Sequence, residues 1–240
     1  RAQPFRGLRF TYSAAMKATT VSIPVHDEPP VSGRLTRPRA ARACFVFAHG
    51  AGAGMTHPFM AEFAADLEAR GVACLRYQFP FMERGSKRPD SASVAHPTVR
   101  AAVAAAAGLA PDVPLFAGGK SFGGRMTSQA QAESPLPGVR GLAFVGFPLH
   151  PVDKPGIARA EHLSAVNVPM LFLQGDRDKL ADLALLVPVV RRLGTRARLV
   201  VFANADHAFH VPARSGRTDA QVRGQIAEAL AGWMDAMRGR

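Results

Sequence analysis

The stretch AGGKSFGG at 117–124 decides the fold, because it reads in two ways. Gly119-Lys120-Ser121 ends the phosphate-loop pattern G-x-x-x-x-G-K-[ST], while Gly119 through Gly123 spell G-x-S-x-G. A phosphate loop needs a glycine six residues before its lysine, and that place holds Pro114. It also needs a loop between strand and helix, yet VPLFAGG (113–119) runs as apolar strand almost to the serine. The second reading fits. A nucleophile elbow is a tight strand-to-helix turn with the serine at its apex, and glycines two before and two after keep neighbouring side chains out of the way. Gly119 and Gly123 hold those places, and Gly118 and Gly124 add clearance.

Outward from the elbow, short β-rich runs alternate with helix-like stretches. VSIP (21–24), SGRLTR (32–37), CFVFAHG (44–50), VACLRYQF (72–79), VPLFAGG, GLAFVGFPL (141–149), VPMLFLQG (168–175) and RLVVFA (198–203) read as strands. HPFMAEFAADLEARG (57–71), VRAAVAAAAGLA (99–110), SFGGRMTSQAQAE (121–133), ADLALLVPVVRRLG (181–194) and TDAQVRGQIAEALAGWMDAMRG (218–239) read as helices. The segment 79–97, with Pro80, Gly85, Pro89 and Pro97, is expected to be a long loop. Alternation with continuously apolar strands predicts a doubly wound, mostly parallel sheet of about eight strands covered on both faces. Sites in such sheets lie at the carboxyl ends of the strands.

A serine hydroxyl needs a base, and the base needs an orienting carboxylate. VPMLFLQG is followed by Asp176-Arg177-Asp178, and RLVVFA leads to Asp206-His207. The order serine, acid, histidine is that of the elbow enzymes. Ser121 is thus the candidate nucleophile, His207 the base and Asp178 the orienting acid. Asp176 competes with Asp178, and the placement G-x-x-D selects Asp178. His210 competes with His207, and Ser121 has an alternative reading as a plain helix N-cap. Oxyanion donors are expected from the backbone N–H of Phe122 and from the small-residue loop His49–Gly54, at Ala51 or else Gly52. His49 is expected to be structural. Gly52, Met55, Phe79 and Arg125 are candidate substrate contacts, and Lys120 flanks the nucleophile.

With these residues in place the chain resembles the α/β-hydrolase superfamily over nearly all of 17–240, and it shows in order the five blocks AHGAGAGM, FPFMERGSKRPD, GGKSFGGRM, LFLQGDRD and DHAF, which carry a narrower likeness. The closer resemblance is to the small hydrolase-like family named after a testis-expressed protein and a chromatin-complex subunit. Dienelactone-hydrolase-like enzymes are next, and usually carry cysteine where Ser121 stands. The resemblance implies an α/β-hydrolase fold and a serine hydrolase. About twenty residues separate the strands at 149 and 168, too few for a lid domain. The expected reaction is hydrolysis of a small acyl compound through an acyl-enzyme: a carboxylic ester first, then a thioester or amide. The alternative is a non-catalytic interaction protein on the same scaffold.

Composition narrows the classes further. An apolar fraction of 48% and a charged fraction of 20% suit a globular domain of 240 residues. The net charge of +12 arises from scattered residues, 25 of them arginine, without basic runs interleaved with aromatics, so nucleic acid is not the expected partner. The partner is expected to be a small-molecule substrate, the chain a monomer or homodimer. No metal-ligand spacing or dinucleotide fingerprint occurs, so neither metal nor cofactor is expected. The longest apolar run, 101–110, is half of what a membrane span needs (~20 residues). Cys44 and Cys74 sit in strand-like runs as reduced core thiols, which suits a cytoplasmic location. Residues 1–15 lack a signal-peptide core and are expected to be an extension outside a single domain at 16–240.

Overall fold

Strand β3 (Ala43–Ala48) is apolar at every position and buried throughout, so both of its faces must be covered. Its alternate side chains divide between two cores. Cys44, Val46 and Ala48 join one core, while Ala43, Phe45 and Phe47 join the other. A computed structural model describes residues 18–237. The expected extension at 1–15 lies outside the described residues.

Eight strands form one sheet in the order β1-β2-β4-β3-β5-β6-β7-β8. β1 (Thr19–Val25) and β2 (Glu28–Thr36) form an antiparallel pair, and β2 lies antiparallel to β4 (Val72–Tyr77). From β4 onward the sheet is parallel, through β3, β5 (Leu115–Lys120), β6 (Val139–Val145), β7 (Met170–Gly175) and β8 (Ala197–Phe202). This is the expected mostly parallel, doubly wound architecture.

One face is covered by α1 (Pro58–Glu68) and α6 (Asp219–Met237), through Met60, Phe63 and Leu67 and through Val222, Ile226, Leu230 and Trp233. α3 (Ala92–Leu109), α4 (Phe122–Glu133) and α5 (Leu183–Arg192) cover the other. Between β6 and β7 the chain makes only loops and a 3₁₀ helix at Ala158–Ala165, so among the described residues no lid domain stands over the sheet's carboxyl edge. Among the described residues no helix is long and apolar enough to cross a membrane.

The segment 79–97 differs from the expected long loop. It holds a short helix α2 (Pro80–Glu83), and α3 begins at Ala92, so the irregular part spans only 84–91. Pro97 lies inside α3 as its sixth residue, just as Pro188 is the sixth residue of α5. A proline near the start of a helix removes one backbone bond that the remaining turns outweigh. The loop is also pinned. Asp90 accepts from the Phe81 N–H at 2.8 Å and pairs with Arg84 at 2.7 Å.

Trp233 of α6 packs edge-on against Phe116 of β5, with ring centroids 5.5 Å apart, and lies over Gly141 of β6. Trp233→Ala removes the largest side chain from this layer. It should cost about 3–5 kcal/mol in urea denaturation with the slope preserved. A change below 1 kcal/mol, about one core methylene, would show that this contact does not hold α6 on the sheet.

Candidate active site

β5 ends and α4 begins with no intervening loop, so Ser121 must reverse the chain alone. It does so at φ 50° and ψ −116°, a conformation unusual for a residue with a side chain. The turn is possible because backbone packs on backbone. A Cβ on Gly119 would stand 2.6 Å from the Gly123 carbonyl carbon, and one on Gly123 2.6 Å from the His49 oxygen. Ser121 precedes the first residue of α4, but its side chain caps nothing. The plain N-cap reading therefore does not describe it.

The Ser121 hydroxyl is free to point along the sheet's carboxyl edge. Ser121 O–H donates to His207 Nε2 at 2.8 Å, and His207 Nδ1–H donates to Asp178 Oδ2 at 2.6 Å. Asp178 is buried, and its carboxylate also accepts from the Leu180 N–H at 2.8 Å and from the side-chain amide of Gln174. A buried carboxylate needs such donors to remain in place. Asp176 is exposed, and the His207 ring bonds to Asp178, the acid that the sequence placement selects. His210 is exposed and pairs with Asp219 at 2.9 Å.

The fold has counterparts among known proteins. The model of the alpha/beta hydrolase domain family matches residues 41–235. A dienelactone hydrolase from Anabaena variabilis superposes with a TM-score of 0.72 at 21% identity, over 93% of this chain and 99% of that one. A lidless α/β serine hydrolase from Xanthomonas campestris gives 0.71 at 18% identity, over 93% and 98%. Est1E from Butyrivibrio proteoclasticus gives 0.69 at 14% identity, over 94% and 100%. The chain belongs to the alpha/beta hydrolase family.

In this alpha/beta hydrolase domain the loop after β3 lies against the elbow. A Cβ on Gly50 would sit 3.8 Å from the Ser121 Cβ. Phe122 is the first residue of α4, so its N–H has no acceptor within the helix. Ala51 is partly buried beside the core and Gly52 is exposed with open space around it. Met55 is buried, its N–H held by Gln78 at 2.8 Å. Phe79 is fully buried and offers a ligand no surface, contrary to expectation. It packs edge-on against His49 and Phe122, because its backbone starts α2 and turns the ring inward. Arg125 is half-buried one turn along α4. His49 is structural: Nε2 accepts from the Phe79 N–H at 2.9 Å, and burial pushes its pKa down to about 4.

Sequence reading left Lys120 undecided, and the structure gives it a partner. Its ammonium donates to the backbone carbonyl of His207 and lies 5.2 Å from the Phe209 ring centroid and 5.8 Å from that of Phe59. The basic group beside Ser121 thus holds the histidine loop. Desolvation pushes its pKa down to about 8, partly opposed by Asp178 and Asp206. The unfolded chain, with an ordinary lysine, binds more protons between pH 8 and 10.5. Stability contributed by this group therefore rises with pH across that window. Relative to Lys120→Met, the wild-type Tm should gain on going from pH 7.5 to pH 10. Buried Cys44 and Tyr77 titrate alike in both proteins and cancel in the comparison. Parallel pH curves would mean that the ammonium is solvated.

Proposed function

We propose that this protein is a serine hydrolase that cleaves small acyl compounds, carboxylic esters first and thioesters or amides after them, through an acyl-enzyme. The observation that carries the reading is the unbroken hydrogen-bonded chain Ser121–His207–Asp178 on a turn that only glycine neighbours permit. Ser121 Oγ attacks the acyl carbon while His207 Nε2 takes its proton. The carbonyl oxygen, now an oxyanion, is met by the backbone N–H groups of Phe122 and Ala51. Collapse of this intermediate breaks the bond to the leaving group, which receives the proton from His207 Nε2. A water then attacks the acyl-enzyme, giving one proton to His207. The acid departs, and Ser121 regains its proton. Asp178 keeps the imidazole in the tautomer with hydrogen on Nδ1 and stabilises the transient imidazolium.

A second serine–histidine contact joins Ser128 Oγ and His162 Nε2 at 2.7 Å. It lacks the parts of a relay. Ser128 is fully buried, its hydroxyl also reaches the Arg125 carbonyl, and burial with the nearby Arg125 charge pushes His162 down to about 4. We therefore assign the chemistry to Ser121. The open edge and the five sequence blocks favour, within the family, the small lidless branch related to the testis-expressed and chromatin-complex proteins.

A fluorophosphonate probe should label wild-type protein once, on Ser121, and leave Ser121→Ala untouched, as read by intact mass and peptide mapping. In turnover of 4-nitrophenyl butyrate, Ser121→Ala and His207→Ala should each lower kcat by about 10⁴-fold or more, while Asp176→Ala should stay within a few-fold. A folded wild-type protein that neither labels nor turns over ester would remove the enzymatic reading and leave an interaction scaffold.

A further inference from the structure

Beside the nucleophile, where α4 meets α3 and the 3₁₀ helix, basic side chains gather, and among the described residues neither Arg125 nor Arg159 forms an ion pair. Arg125 stands four residues after Ser121, one turn into α4. Its backbone N–H reaches the Ser121 carbonyl at 3.2 Å. Its guanidinium is half-buried, and Nε is sealed from solvent with no acceptor in reach. The charge acting on it is a like one, that of Arg159 on the 3₁₀ helix, which adds to burial in pushing its pKa down. The nearest acid on α4, Glu133, is already taken by His96 at 3.0 Å and Arg100 at 3.7 Å. His162, between these groups, is kept neutral by burial and by Arg125 and His96.

A folded chain gains nothing from two half-buried guanidiniums that repel each other without a counter-charge. Such an arrangement is explained when a bound anion completes it, since the planar fork of arginine matches a carboxylate. The position fixes which part of a substrate would carry the anion. His207 comes from the loop after β8 and must face the leaving oxygen, whereas Arg125 and Arg159 lie on the α3 and 3₁₀ side of the elbow.

We propose that Arg125 and Arg159 form a carboxylate-binding subsite for the acyl part of the substrate, so that the enzyme prefers half-esters of short dicarboxylic acids over neutral esters. This rests on Ser121 being the nucleophile.

The test compares kcat/KM for mono-4-nitrophenyl glutarate and 4-nitrophenyl butyrate on the full chain, so that any general loss of activity cancels in the ratio. Wild type should favour the anionic ester by about tenfold, the size of one charge-assisted hydrogen bond. The ratio should fall to near one in Arg125→Gln, fall partway in Arg159→Gln, and recover in part in Arg125→Lys. The preference should shrink in 0.5 M salt. Turnover of both esters with no preference, or a preference that survives Arg125→Gln, overturns the subsite and leaves the serine hydrolase intact. Absence of turnover together with absence of the fluorophosphonate adduct overturns the nucleophile and the subsite with it. If Ser121 labels but cleaves neither ester, binding decides. Glutarate should raise the Tm of Ser121→Ala and not that of Ser121→Ala/Arg125→Gln, and no shift in either overturns the proposal.

Discussion

The close packing of backbone on backbone at the end of β5 is the constraint on which the rest depends. Gly119 and Gly123 let the elbow press against Ala48 and His49 at distances that no side chain would allow. That contact ties the ends of β3 and β5 to the start of α4. It also holds Ser121 at a positive φ, a conformation that costs on the order of 1–3 kcal/mol and persists only where its surroundings over-determine it. The surroundings here are rigid, because β3 and β5 are central strands buried on both faces.

Two supports flank the elbow and differ in character. On one side an aromatic cluster of Phe79, Phe81 and Phe122 surrounds a neutral His49, so the loop after β3 rests on a dry, uncharged base. On the other side the support is polar. Gln174 and the Leu180 N–H hold Asp178, Asp178 holds His207, and Lys120 holds the backbone of His207. Buried polar groups specify one arrangement because leaving any of them unpaired is costly. His207 is thus fixed at three points: its ring nitrogens by Asp178 and Ser121, and its carbonyl by Lys120.

The strands were legible because they depend on local pattern. Continuous apolar runs bounded by glycine and polar residues mark strands that are buried on both faces, and all eight lie near their expected places. The start of α3 was not legible. Pro89 and Pro97 read as loop signals, whereas Pro97 is tolerated near the helix start and Asp90 pins the turn before it. Phe79 read as a contact residue by its place where a strand ends and the segment 79–97 begins. Its burial depends on the direction in which α2 leaves the sheet, which no pattern in 79–83 encodes.

By itself the sequence determined the elbow, through glycine spacing around Ser121, and the parallel sheet, through strand–helix alternation. These follow from steric limits and periodicities that act over a few residues. Tertiary structure alone joined the His207 ring to Asp178, turned Lys120 toward the His207 carbonyl, and brought Arg125 under the charge of Arg159. Each of these depends on loops distant along the chain meeting at one edge of the sheet. Which side chain then faces inward is set by desolvation and hydrogen-bond geometry at that meeting point, and a linear pattern does not contain it.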